Sequence, residues 1–146
     1  MVIDATGKWW KGSEPKDLKE YLEALSADQY PIDIFTLRKC ECGSDAFQIE
    51  VDDDEGCAKT TCSKCRQPSF LADSEEYWSS DSPRTYKCIE CSLDRANVGL
   101  GFALTTDRNC IQWVYIGCRC SACGVLGCMI DWKIGYEPSL HFAQNA

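Results

Sequence analysis

Four cysteine pairs follow one another along the chain, and no other feature of the sequence limits its fold so strongly. The pairs are Cys40 and Cys42, Cys62 and Cys65, Cys88 and Cys91, and Cys120 and Cys123. A tight turn directs the two sulfurs of a pair toward one point, and two such turns facing each other across a hairpin make a tetrahedron of thiolates. The spacing therefore predicts two metal sites, each with four cysteine ligands.

Each half of the cysteine pattern contains a hairpin signal. Apolar residues alternate with polar ones before a turn sequence, which is DDDEG in the first half and TTDRN in the second. The alternating positions are Phe47, Ile49 and Val51, then Val98, Leu100, Phe102 and Leu104. Because period-two alternation is typical of half-buried strands, we expect a small, mostly β protein. The glycines of VGLGF, inside a strand pattern, predict a close approach of another segment.

The two halves also align with each other when Cys65 is placed on Cys123, which indicates that one unit was used twice. In this register Cys120 matches Cys62, and Cys118 falls two residues earlier, on the incoming strand. The alignment therefore predicts Cys120 and Cys123 as metal ligands. The rival register pairs Cys118 with Cys120 and copies the CxC spacing of the first pair.

The pairs and their hairpins resemble the zinc-ribbon family over Arg38 to about Trp78 and over Tyr86 to about Tyr136. The resemblance implies that two knuckles and a three-stranded sheet enclose one zinc ion in each half. Zinc-ribbon knuckles often carry glycine after the second cysteine, as CECG and CSACG do here. CSKCR and CIECS lack that glycine and CEC is one residue short, so these knuckles depart from the family pattern.

The expected cofactor is zinc, with two ions per chain. Iron is the alternative metal, because rubredoxin-like proteins use similar knuckles and a four-thiolate site does not decide between the two. Redox-active cysteine pairs without a metal are the other interpretation. Metal is favoured because each half is too small for a self-sufficient core, whereas metal binding contributes on the order of 10 kcal/mol to folding.

The sequence predicts an N-terminal segment, residues 1–37, a first zinc ribbon, residues 38–80, and a second ribbon with its tail, residues 81–146. Helical spacing of apolar residues in the first segment predicts one helix that covers the sheet. Ser13 is its expected N-cap. Its apolar positions are Leu18, Tyr21, Leu22 and Leu25. The chain starts without the apolar core of a signal peptide, and no stretch is apolar for long enough to span a membrane.

Four further cysteines fall outside the pairs: Cys57, Cys110, Cys118 and Cys128. We expect Cys128, which matches Phe70 of the first half, to act as a small buried hydrophobe. Cys57 and Cys118 are expected on strands near a metal site, and Cys110 near a hairpin turn. A thiol sensor built from these cysteines is the alternative.

No catalytic arrangement accompanies the cysteines. A catalytic zinc needs an open coordination position and usually a histidine or carboxylate ligand, but the single histidine, His141, lies outside every pair. The sequence also lacks a phosphate-binding loop, a nucleotide fingerprint and a nucleophile elbow. The acidic run at residues 52–55 has the composition of a calcium or magnesium site, but a solvated hairpin tip explains it more simply. We therefore expect no enzyme activity.

The formal net charge is −8, from 23 acidic and 15 basic residues, and two zinc ions held by eight thiolates would add about −4. This charge opposes nucleic-acid binding and favours a basic protein partner. Acidic residues surround Tyr77 and Trp78 in DSEEYWSSDSPRTY, as in a recognition surface, although packing of both rings between the ribbons is equally consistent. We expect a non-catalytic protein-interaction module, such as an inhibitor or immunity-type protein. The alternatives are a nucleic-acid-binding ribbon and a thiol or metal redox sensor.

The segments DDDEG, DSEEYW, WVYIG, RCSACG and DWKIGY together resemble a family of small acidic bacterial proteins with tandem zinc ribbons. That family has no assigned activity. The resemblance implies the metal sites and a bacterial cytoplasmic location, where a reducing environment keeps cysteines available for metal.

Overall fold

The computed structural model describes residues 3–4, 10–79, 83–136 and 139–144. Its strands are β1 (Ile3–Asp4), β2 (Lys11–Gly12), β3 (Ile34–Leu37), β4 (Phe47–Asp52), β5 (Cys57–Cys62), β6 (Pro68–Phe70), β7 (Arg84–Thr85), β8 (Ala96–Leu104), β9 (Ile111–Cys120) and β10 (Leu126–Lys133). Its helices are α1 (Asp17–Ser26), α2 (Ser74–Tyr77) and α3 (Leu140–Gln144). The predicted mostly β fold with an N-terminal helix is confirmed, and two short helices are added to it.

One antiparallel sheet contains strands from both halves of the chain. Its strand order is β10-β9-β8-β4-β5-β6, with β3 also paired to β8 and β7 paired to β4. The halves meet where Phe47 of β4 pairs with Ala96 of β8 and where β7 pairs with β4. Buried residues of both halves belong to one hydrophobic cluster. The boundaries at residues 38 and 81 stay predictions, because a shared sheet and core do not define where a unit begins.

Both predicted hairpins are confirmed. In the first, β4 pairs with β5 from Phe47 opposite Cys62 to Asp52 opposite Cys57. The Asp52 carboxylate accepts hydrogen bonds from the backbone N–H groups of Asp54 and Glu55, at 3.1 and 3.2 Å, so the acidic run closes its own turn. In the second, β8 and β9 pair along nearly their whole lengths. The alternating apolar residues are buried, except Leu104 at the end of β8, which is half-buried.

Helix α1 packs on the glycine-bearing face of β8 and β9. A Cβ atom at Gly117 would lie 3.1 Å from Cδ1 of Leu22, and one at Gly99 would lie 2.7 Å from Cε1 of Phe35. Leu22 also faces Gly101, and Leu18 faces Gly99. The close approach predicted for VGLGF is therefore confirmed, because side chains there would displace the helix and β3.

The predicted start of α1 is wrong. The helix begins at Asp17, and Ser13 lies four residues before it. A turn at Pro15 precedes the helix, and the Asp17 carboxylate accepts the backbone N–H of Glu14 at 3.1 Å and the Ser13 hydroxyl at 3.5 Å. The observed N-cap residue is Lys16, which makes no side-chain cap hydrogen bond, and Asp17 instead holds the turn that precedes the helix. The longest helix in the described chain has ten residues, and none there is long and apolar enough to cross a membrane.

A buried carboxylate joins the end of the first half to the last strand. Asp73 accepts a hydrogen bond from Nε1 of Trp132 at 3.0 Å and one from the Tyr136 hydroxyl at 2.7 Å. Its counterpart in the repeat, Asp131, is exposed and accepts a bond from Nε1 of Trp113 at 2.9 Å. The matching aspartates therefore have different environments, although their sequence positions correspond.

Candidate metal centres

The eight paired cysteines lie in two groups of four. The first centre consists of Cys40, Cys42, Cys62 and Cys65, and the second centre consists of Cys88, Cys91, Cys120 and Cys123. Within each centre, all four sulfur atoms lie within 4.8 Å of one another. Cys118 belongs to neither centre and lies on β9, which leads into the knuckle of Cys120. The structure thus brings together the sets that the sequence pattern predicts.

The sulfur positions fit a tetrahedral ion. The S···S distances across each centre are 3.5 Å (Cys40–Cys65), 3.6 Å (Cys42–Cys62), 3.4 Å (Cys88–Cys123) and 3.5 Å (Cys91–Cys120). A regular tetrahedron with bonds of about 2.3 Å places its ligands about 3.8 Å apart, whereas a disulfide places them about 2 Å apart. Each centre therefore has the donor set and the size for one thiolate-bound metal ion.

Three of the four knuckles share the same backbone turn. The N–H after the second cysteine donates to the carbonyl of the first cysteine, at 3.0 Å for Arg66, 2.9 Å for Ser92 and 3.0 Å for Gly124. In the shorter CEC knuckle, the N–H of Gly43 reaches the carbonyl of Cys40 at 2.8 Å across one residue fewer. The missing residue is therefore absorbed by a tighter turn, and the first pair still joins its centre.

The residue that ends each knuckle has a left-handed backbone. The φ angles are 94° at Gly43, 65° at Arg66, 65° at Ser92 and 82° at Gly124. Glycine adopts this conformation without steric cost, but arginine and serine do not. CSKCR and CIECS therefore form the same knuckle without the glycine of the family pattern, at some cost in backbone strain.

Hydrogen bonds from backbone N–H groups help to lower the pKa of Cys62 in the first centre and of Cys120 in the second. At the first centre, the N–H of Cys65 donates to Sγ of Cys62 at 3.5 Å and is the main cause that lowers the pKa of Cys62 to about 6. At the second centre, burial raises the pKa of Cys120, but the N–H groups of Cys123 and Ala122 and the thiols of Cys91 and Cys123 together lower it to about 7. An ionised sulfur is thus available at each centre near neutral pH, as metal binding requires.

The two centres differ in exposure. Cys42 and Cys65 of the first centre are exposed, and Cys62 is buried. In the second centre Cys91 is exposed, while Cys88 and Cys120 are buried. Solvent and small reagents therefore reach the first centre more easily.

An N-terminal segment, residues 10–13, packs against the knuckle of Cys120 and Cys123 in the second centre. The N–H of Gly12 donates to the carbonyl of Gly124 at 2.9 Å, and the N–H of Leu126 donates to the carbonyl of Trp10 at 2.7 Å. Arg119 donates from Nε to the carbonyl of Gly12 at 2.7 Å and from Nη2 to the carbonyl of Ser13 at 3.0 Å. No motif in the sequence signals this contact, because most of its acceptors are backbone carbonyls.

The four remaining cysteines are separate from both centres. Burial raises the pKa of Cys118 and raises the pKa values of Cys57 and Cys128 to about 12, so these thiols stay protonated. Cys118 lies on a strand near the second centre, as expected, whereas Cys128 is half-buried rather than the buried hydrophobe that the repeat predicts. Cys110 is buried beside the predicted turn, where its N–H approaches the Thr105 hydroxyl at 3.4 Å. The expectation that Cys57 lies near a metal site is wrong, because it begins β5 whereas Cys62 ends it, about 17 Å along an extended strand.

The two acidic segments, DDDEG and DSEEYW, lie side by side. The Asp52 carboxylate accepts bonds from the N–H and hydroxyl of Ser79 at 3.3 and 3.4 Å, which holds the end of α2 against the first hairpin turn. Trp78 packs on its own half, 5.9 Å from the Phe70 ring and 4.8 Å from Nζ of Lys59. Tyr77 is 44% exposed. The aromatics therefore do not pack together between the halves.

These segments define an acidic surface, which we name by its exposed members Asp53, Asp54, Glu55, Glu75, Glu76 and Tyr77. Asp53 forms an ion pair with Arg84 at 2.9 Å, whereas the other four carboxylates have no cation of the described residues within 4.0 Å. His141 is exposed on α3 and belongs to neither cysteine group.

Comparisons of the chain with family models, with curated proteins and with solved structures gave no match. The resemblance to zinc ribbons therefore depends on the cysteine spacing and on the geometry of the two centres.

Proposed function

We propose that both centres hold zinc, that each half is a zinc ribbon, and that the chain is a non-catalytic module that binds another protein. The observation that carries this proposal is that each centre has four thiols and no other ligand type within its group. Four thiolates saturate a tetrahedral zinc ion, so no position stays open for water or substrate. Zinc in such a site stabilises the fold, with a contribution on the order of 10 kcal/mol.

The charge of the chain supports a basic protein partner. The formal net charge is −8 before metal binding, and the acidic surface places Tyr77 among five carboxylates, of which only Asp53 has a cation of the described residues beside it. An exposed tyrosine surrounded by acidic residues gives an aromatic anchor with electrostatic steering. This is the surface expected of an inhibitor or immunity-type protein in the bacterial cytoplasm, and it disfavours DNA and RNA.

A photocrosslinking amino acid at position 77 tests this proposal. Zinc-loaded protein carrying it is exposed to lysate of the native host, and the same experiment is run with the crosslinker at exposed Tyr30. The captured protein is then purified and its affinity is measured against the wild type and two matched double variants. We expect E75Q/E76Q to weaken binding about ten-fold at low salt and E20Q/E23Q on α1 to leave it unchanged.

Two results would contradict the proposal. One is crosslinking to nucleic acid instead of protein, and the other is equal affinity for both double variants. The zinc content of E75Q/E76Q is checked by metal analysis before binding is measured, so that an unfolded sample is not mistaken for a folded variant that binds its partner weakly.

A further inference from the structure

A cavity of about 570 Å³ lies beside the first centre. Its walls come from the segment that follows β3, from β6 and from α3, and its polar lining includes Arg38, Lys39, Gln67 and Ser69. The volume lies within the range of about 300–1,000 Å³ that small-molecule sites have. The metal centres and the acidic surface do not use this cavity, so its occupant is a separate question.

Arg38 is held in a fixed position in this cavity. Its Nε donates to the Thr60 hydroxyl at 3.1 Å, its Nη2 donates to the Ser69 hydroxyl, and its Cζ lies 5.7 Å from the centre of the Phe47 ring. Thr60 is 1% exposed, so this arginine is anchored to a buried group. A positioned guanidinium loses little conformational entropy when it binds a ligand.

The charge of Arg38 is not paired with a carboxylate. No carboxylate of the described residues lies within 4.0 Å of its guanidinium, and both of its hydrogen-bond acceptors there are neutral hydroxyls. A guanidinium has five N–H donors. Two are used, so both hydrogens of Nη1 and one of Nη2 stay available, and two neighbouring N–H groups of this kind match the two oxygens of an oxyanion.

The remaining lining favours an anion attached to a flat ring. Lys39 adds a second cation and Gln67 adds amide donors, against one carboxylate, Glu41, among the described lining residues. Apolar walls come from Phe47, Phe70 and Phe142. We propose that this cavity binds a small molecule that carries a phosphate or carboxylate group on an aromatic ring.

The alternative role for Arg38 is to neutralise the thiolates of the first centre, since Cys40 also lines the cavity. The two roles predict different results. A counterion for the thiolates would change metal affinity when it is removed and would leave no saturable anion site. A ligand-binding arginine gives a site whose occupancy can be measured while both metal ions stay bound.

The test is a titration of the zinc-loaded protein with phenyl phosphate, benzoate and inorganic phosphate, followed by calorimetry and by amide chemical shifts. We expect one saturable site, with phenyl phosphate or benzoate bound at least about ten-fold more tightly than inorganic phosphate because only they reach the aromatic walls. Whichever of phenyl phosphate and benzoate binds more tightly identifies the preferred oxyanion. Shifts should be confined to the segments around Arg38, β6 and α3.

Three variants make the result decisive. R38Q should weaken binding by about ten-fold or more, whereas R95Q should not change it; this control removes an exposed arginine whose ion-pair partner among the described residues is Asp94. Because R38Q is expected to disturb the first centre if Arg38 is a counterion, Q67E serves as a second probe that adds a carboxylate and keeps the arginine. Q67E should also weaken binding.

The proposal is overturned if no saturable binding is seen up to a probe concentration of about 10 mM, which exceeds the dissociation constant of a site with millimolar affinity. It is equally overturned if R38Q and Q67E bind the probes as the wild type does, or if R38Q loses zinc while Q67E binds unchanged.

Discussion

Replacing Gly124 by alanine tests how the second knuckle is held against the N-terminal segment. Gly124 has a φ of 82°, and a Cβ there would lie 2.6 Å from the carbonyl oxygen of Gly12, a backbone atom that cannot rotate away. The left-handed conformation alone costs alanine about 1 kcal/mol. Moving Gly12 would also break its 2.9 Å hydrogen bond to Gly124 and the 2.7 Å bond from Arg119, each worth about 1 kcal/mol. We therefore expect G124A to destabilise the protein by about 3 kcal/mol.

Gly43 supplies the matched control. It occupies the same position in the first knuckle with a φ of 94°, but nothing lies within 4 Å of a Cβ built there. G43A should therefore cost only the conformational strain, about 1 kcal/mol. The difference between the two variants isolates the contact between residues 10–13 and the knuckle.

The assay is chemical unfolding at a fixed free zinc concentration, followed by tryptophan fluorescence and circular dichroism, with coincident transitions required. Metal content is measured for each variant. The proposed contact would be refuted if G124A and G43A lowered the free energy of unfolding equally, or if G124A lowered it by less than about 1 kcal/mol.

Three further outcomes follow from the same structure. Dilute hydrogen peroxide should release the first zinc ion before the second, because Cys42 and Cys65 are exposed; release measured with a zinc-binding dye in one step, or from the second centre first, would contradict this. D73N should lower the free energy of unfolding by about 1–3 kcal/mol, while D131N at the exposed matching position should cost under about 1 kcal/mol; equal effects would show that burial of Asp73 is unimportant. Electrophoretic mobility shifts at low salt should show no DNA or RNA binding at micromolar concentrations; submicromolar binding that weakens steeply with salt would reveal a basic surface.

The cysteine groups and the hairpins were predictable because their signals are local. Two cysteines in a tight turn fix the direction of their own sulfurs, and alternation fixes which side chains of a strand face inward. Once the hairpin between Cys42 and Cys62 was placed, the first centre followed without further information. The same register excluded Cys118 as a ligand, and the structure places it on β9, beside the second centre but outside its four sulfurs.

Other features were not predictable because their interactions do not depend on residue type. Apart from the exposed ion pair between Lys11 and Glu90, residues 10–13 bind the second centre's knuckles through backbone groups, which every residue except proline offers. The left-handed turns at Arg66 and Ser92 follow from the hydrogen bonds of the knuckle rather than from the preference of these residues. The helix starts three residues later than a Ser13 cap predicts, because a turn at Pro15 precedes it and a capping pattern does not register that turn.

Metal counting by native mass spectrometry on single cysteine variants tests the central claim most directly. The wild type should carry two zinc ions, and a chelator should unfold it by removing them. Serine is a poor substitute for thiolate, so C120S and C123S should each retain one ion and lose the second half of the fold, whereas C118S should retain both. Two ions in C123S with one ion in C118S would show that the register is wrong, and fewer than two ions in folded wild-type protein would contradict the account of two four-cysteine metal centres.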